Sequence, residues 1–136
     1  MKHYTFIDYA TQGYIALVAV ITAGCTGGDS TNVGFDENSI PSIIAALENE
    51  DVFTRQSAAI ALTSKGPEAT EAVGALVRVL RKESEAPAVR AEAAKALGAI
   101  GSKDQAVIDV LTEFSTYRQD KPIRDNSKEA LTKLQQ

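Results

Sequence analysis

Histidine and cysteine, the side chains that build most nucleophilic and transition-metal sites, are almost missing: His3 and Cys25 stand alone. With no histidine after residue 3, a Ser–His or Cys–His pair has no base to draw on, and a His- or Cys-based metal site has no ligands. A single cysteine also excludes an intramolecular disulfide framework. No run of Lys or Arg is long enough to track a phosphate backbone. The aromatics after residue 25 are only Phe35, Phe53, Phe114 and Tyr117. Nucleic-acid binding is therefore not expected. There is no glycine-rich phosphate loop, and acidic pairs such as Glu48 with Asp51 or Glu68 with Glu71 fall at helix ends, where they stabilise helices. The sequence reads as a non-enzyme with no cofactor and no metal.

What is present is ordinary for a globular chain: 44% hydrophobic residues, 24% charged and a net charge of −4. These 136 residues suffice for one modest domain with appendages. The uninterrupted apolar run is Tyr14 to Gly24, eleven residues. A membrane-spanning helix needs about 20, whereas the hydrophobic core of a secretory signal runs about 7–15 before small residues. The stretch "ITAGC" resembles the lipobox of bacterial lipoproteins, with Ala23 and Gly24 at its small positions and Cys25 at the modified one. Thr22 departs from that pattern, which usually has an aliphatic residue there. The resemblance implies a signal peptide over 1–24 and a lipidated Cys25 that becomes the new N-terminus. It also implies a cell-envelope location, on the periplasmic side of an outer membrane if the cell is Gram-negative. Residues 25–39 then form the lipidated cysteine and a flexible tether, whose fourteen residues "TGGDSTNVGFDENS" would hold a domain roughly 20 Å from its anchor.

From Ile40 onward the chain repeats. "TRQSAAIAL", "VRAEAAKAL" and "IRDNSKEAL" align, with Arg55, Arg90 and Arg124 spaced 35 and 34 apart and Leu62, Leu97 and Leu131 seven positions after them. Upstream of each lies an i, i+1, i+4 apolar group, such as Ile43, Ile44 and Leu47, which marks one helix face. Each unit is thus a helix pair, and the units run about 40–66, 67–101 and 102–136. Helices are expected near 40–49, 52–65, 68–83, 87–100, 103–117 and 122–134. Asp51 is placed to cap a helix start, Pro87 and Pro122 to open helices, and Gly66 and Gly101 to end them. Ser102 to Gln105 has the form of a capping box. In the second helix of the middle unit, Val89, Ala93, Ala96, Leu97 and Ile100 make the buried stripe, and Ala91, Lys95 and Gly98 point away.

"APAVRAEAAKALGAIG" resembles the second helix of a HEAT-like repeat of the kind first described in phycobilisome bilin lyases. The resemblance covers residues 40–136 and implies an all-α fold, a short α-solenoid of about three helical hairpins. It also implies that Arg55, Arg90 and Arg124 form a structural ladder with the acidic turn residues Asp51, Glu85 and Asp120. The polar third unit reads as a capping end. The expected function is a lipid-anchored, non-enzymatic scaffold that binds a partner protein on a concave face lined by second helices. That face is assigned to Gln56, Ala59, Ile60, Thr63, Ala91 and Lys95. Three units are near the lower limit for such an array, so docking on a larger assembly or self-association is also expected. The alternative is a cytoplasmic relative of the bilin lyases or of phycobilisome degradation factors.

Overall fold

The computed structural model describes residues 34–136. The apolar run, Cys25 and the tether up to residue 33 lie outside the described residues. Six α-helices follow one another: α1 (Ile40–Ala46), α2 (Val52–Lys65), α3 (Val73–Arg81), α4 (Pro87–Ile100), α5 (Gln105–Ser115) and α6 (Lys121–Leu134). A 3-10 helix, Gly66–Ala72, joins α2 to α3, and there is no strand among the described residues. None of these helices is long and apolar enough to cross a membrane.

The helix boundaries follow from local chemistry. Ser39 caps α1 by accepting from the Ser42 N–H, with Pro41 in the first turn. Asp51 caps α2: its Oδ2 accepts from the Thr54 N–H at 2.7 Å and from the Thr54 hydroxyl at 2.8 Å. Gly66 and Gly101 end α2 and α4 at φ of 55° and 74°, a region that side-chain-bearing residues pay strain to enter. Two expectations need correction. The helix expected from residue 68 is α-helical only from Val73, because Pro67 opens a tighter 3-10 segment in which Ala69 leaves helical geometry (φ −89°, ψ 27°). The tight path tucks Ala69 and Ala72 fully into the core. The capping box at residue 102 does not form either. The Ser102 hydroxyl donates to Asp104 Oδ2 at 2.9 Å and Gln105 Nε2 to Asp109 Oδ1 at 2.7 Å, so both members are engaged elsewhere and α5 begins at Gln105.

The second helices lie side by side, α4 between α2 and α6, with α3 packed on α4 and α5 on α6 in the other layer. The core contains Ile43, Leu62, Leu76, Leu97, Leu111 and Ile123, all fully buried. Burial of such side chains contributes roughly 1.5–3 kcal/mol each. Contact between α4 and α6 is closest at Gly98, where an added Cβ would stand 2.7 Å from both Cα and Cβ of Ala130. Gly98 is therefore a packing surface and not part of an open face.

The start of the domain also differs from expectation. Phe35, placed in the tether by the sequence, is half-buried against the core. Asp36 ties this stretch down: its N–H donates to the Ser42 hydroxyl at 3.1 Å, its Oδ1 accepts from the Asn38 N–H at 2.9 Å, and its carbonyl accepts from the Ser39 N–H at 3.1 Å. Packed structure thus begins several residues before Ile40.

Candidate functional site

The six residues assigned to a binding face divide in two. Ile60 is 45% exposed and the Lys95 side chain 49%, while Gln56 and Thr63 are half-buried. Ala59 and Ala91 are buried, at 0% and 5%, and do not belong to an open surface. The reason lies in the layer: a second helix with a neighbour buries its flank as well as its core stripe. On α4 that flank meets α6, where Asn126 Nδ2 donates to the Ala91 carbonyl at 2.8 Å. Ala59 aligns with Ala94 of α4, which is also fully buried, and α2 packs on α4.

Two residues that the sequence reading did not select extend the open part of the face. Phe53 is 77% exposed and Val52 38%; with Ile60 they are the large apolar side chains exposed among the described residues. Phe53 and Ile60 are seven residues apart on α2, two helical turns, so they project from one side. A signal for them existed. Where the first unit has Phe53, the other units have Ala88 and Pro122, so the large aromatic is a departure from the repeat.

Charge is distributed as unevenly as apolar surface. Residues 34–66 carry Asp36, Glu37, Glu48, Glu50 and Asp51 against Arg55 and Lys65, a net −3. All five carboxylates are exposed, and the two cations are half-buried. Residues 67–101 balance five acids with five bases, and residues 102–136 balance six with six. The Thr54 hydroxyl and N–H hold the Asp51 carboxyl below the usual aspartate value.

The arginine ladder has one rung. Arg55 donates to the Asn49 and Glu50 carbonyls at 2.7 and 2.8 Å and to Glu85 Oε1 at 2.7 and 3.0 Å. This joins the turn before α2 to the turn before α4. The Glu85 side chain is 1% exposed. Burial alone would raise its carboxyl pKa, but the hydrogen bonds from Arg55 and the Ala86 N–H, with the charges of Arg55 and Lys82, bring it below its ordinary value. Asp51, expected as a ladder partner, caps α2 instead. Arg90 reaches no carboxylate among the described residues: its Nε donates to the Leu80 carbonyl at 2.9 Å, and its guanidinium lies 5.2 and 5.5 Å from the ring centres of Phe114 and Tyr117. These aromatics fill the place a carboxylate would take. Arg124 meets Asp125 of its own helix at 3.3 Å and leaves the Asp120 carboxylate untouched.

Beside the Arg55–Glu85 rung lies a cleft of about 350 Å³, floored by Leu47, Ala75 and Val79 and rimmed by Glu48, Arg78 and Lys82. Its rim charges pair with one another, Arg78 with Glu48 at 3.5 Å and Lys82 with Glu85 at 3.7 Å. No group of three or more His, Cys, Asp or Glu side chains among the described residues is placed to hold a metal ion.

Comparison with known proteins agrees with this architecture. The family of HEAT repeats matches residues 40–132. Among solved structures, human deoxyhypusine hydroxylase in complex with glycerol is similar, with a TM-score of 0.62 and 26% identity over 71% of this chain. The chain spans 32% of that enzyme, about a third of its length. No curated protein matches.

Proposed function

The chain belongs to the family of HEAT repeats, and from that premise we propose that it is a non-enzymatic, lipid-anchored scaffold whose second-helix surface holds a partner protein. Repeats of this family generally mediate protein interaction. The observation that carries the reading is the exposure of Val52, Phe53 and Ile60 on the first unit. A solitary exposed apolar residue needs no explanation, but three on one short helix, one of them an aromatic at 77%, form an anchor of the kind that dominates binding energy. Burying such a side chain is worth roughly 1.5–3 kcal/mol. Val52, Phe53, Gln56 and Ile60 are the residues we place in the interface, with Lys95 of the second unit at its edge.

Export and anchoring rest on Ala23, Gly24 and Cys25 and on the length of the apolar run. Intact mass of the protein taken from native membranes tests them. The expected result is loss of residues 1–24 with added acyl mass, abolished in Cys25→Ala; an unmodified full-length chain overturns that part. The protein-binding part is tested by recovering tagged parent and a Phe53→Ser, Ile60→Ser double variant from the cells of origin. A protein recovered in stoichiometric amount with the parent and lost with the variant supports it. Equal recovery by both sinks the proposed location.

The likeness to a hydroxylase favours a second, enzymatic reading, in which the chain is a small intracellular relative of HEAT-repeat enzymes such as the bilin lyases. Because the chain spans only about a third of the solved enzyme, whole-enzyme activity is the weaker reading. A bilin titration that leaves the absorption spectrum unchanged counts against the chromophore version.

A further inference from the structure

Apolar exposure and negative charge coincide on one unit. The unit with Val52, Phe53 and Ile60 is the unit with net −3, and the other two are balanced. Taking the protein-binding reading as its basis, we infer that the docking segment of the partner is a cationic amphipathic helix that lays apolar side chains along α2 and basic ones over the flanking carboxylates.

Three observations select this occupant. The first is charge. Glu48, Glu50 and Asp51 are exposed in the turn between α1 and α2, just before Val52 and Phe53, and Asp36 and Glu37 are exposed just before α1, which packs on α2. Carboxylates therefore adjoin the apolar stripe at its Phe53 end. An acidic rim raises the association rate of basic segments and rejects acidic ones. It also repels anionic lipid surfaces and nucleic acid. The second is spacing. Phe53 and Ile60 stand about 10 Å apart along the helix at 1.5 Å per residue, which matches anchors at i and i+7 of a partner helix. A segment that binds by strand addition needs a strand edge to pair with, and the described residues contain no strand. The third is the balance elsewhere. The second and third units carry no net positive charge, so charge complementarity does not favour another copy of this chain as the occupant. Lys95, 49% exposed and 3.7 Å from Glu92, bounds the footprint on the α4 side by repelling basic groups.

The test uses two synthetic 18-residue helices with the same leucine stripe, one with lysine and one with glutamate at the remaining positions. Fluorescence anisotropy against the full-length chain gives both affinities at low and moderate salt. The expected result is that the lysine peptide binds at least about tenfold tighter and weakens as salt rises. Phe53→Ser should cost about tenfold or more in that affinity. The pair Glu37→Lys, Glu50→Lys should erase the preference while leaving the helical circular dichroism unchanged. Equal binding of the two peptides overturns the inference but leaves the protein-binding reading standing, provided partner recovery still depends on Phe53 and Ile60. Full lysine-peptide affinity in Phe53→Ser overturns the site. A dimer that dissociates on Phe53→Ser, or tighter binding to anionic vesicles than to the peptide, shows a different occupant and overturns the inference as well.

Discussion

The first and third units have the same two-helix plan and opposite surfaces. In the first, Arg55 is tied to two carbonyls and to a buried Glu85, Asp51 caps its helix with a side-chain bond, and apolar side chains stand in solvent. In the third, Arg124 meets only a half-exposed Asp125, Asp104 and Asp120 cap with no side-chain bond, and the exposed face of α6 is Lys128, Glu129 and Thr132. The difference teaches that a repeat in sequence need not repeat interactions. Arg55 has a following unit to hold, whereas Arg124 has none among these residues. The exposed side of α6 is polar, and the first unit carries the exposed apolar side chains.

Removing the rung should open the widest gap between the two units. Arg55→Ala leaves the buried Glu85 with only the Ala86 N–H and the more distant Lys82, and loss of one member of a buried pair costs about 3–5 kcal/mol. Arg124→Ala should change stability by no more than about 0.5 kcal/mol. Urea unfolding of both variants measures the contrast, and similar losses would break it. The same rung sets an acid limb. The Glu85 carboxyl is held below its ordinary 4.5, so its contribution is present above that value and is lost as pH falls through the lower folded value. Glu85→Gln should flatten that part of the stability–pH curve; an unchanged curve would assign the acid limb to other groups.

The junction towards the third unit gives the next effect. Gly98→Ala forces a Cβ into Ala130 and should destabilise by about 1–3 kcal/mol, despite better helix propensity. Gly74→Ala, whose new Cβ meets only the Arg78 guanidinium at 4.0 Å, should instead stabilise by up to about 1 kcal/mol. Thermal unfolding of the two variants distinguishes them by sign. Smaller again is the cap: Asp51→Ala should lower Tm by a few degrees and Asp104→Ala by almost nothing, since only Asp51 accepts the helix N–H groups. The smallest stability effect belongs to Phe53→Ser, which should leave Tm within about two degrees because the ring contributes little to the core. A large fall would mean that Phe53 is structural.

Much of this architecture was legible in the sequence. The 3.6-residue stripes located every helix to within a few residues except the start of α3, where Pro67 imposed a 3-10 turn. Glu85 was named among the ladder acids through the resemblance to a repeat family, but the sequence did not assign it to Arg55. Arg90 was not predictable either, since a linear repeat does not reveal that Phe114 and Tyr117 occupy the partner's place. Ala59 and Ala91 were misplaced for a related reason. One buried stripe can be read from one helix, but burial of a flank depends on a neighbour. Phe53 was missed because alignment emphasises what recurs, and the site lies where the repeat is broken.

Binding centred on the first unit puts α2, and not α6, against the partner. Photocrosslinking tests it most directly, with a photoreactive phenylalanine derivative placed at position 53 in one chain and at position 132 in another, both irradiated in the cells of origin. The account predicts one discrete protein adduct from position 53 and none from position 132. Adducts of equal yield from both positions, or from position 132 alone, would contradict it.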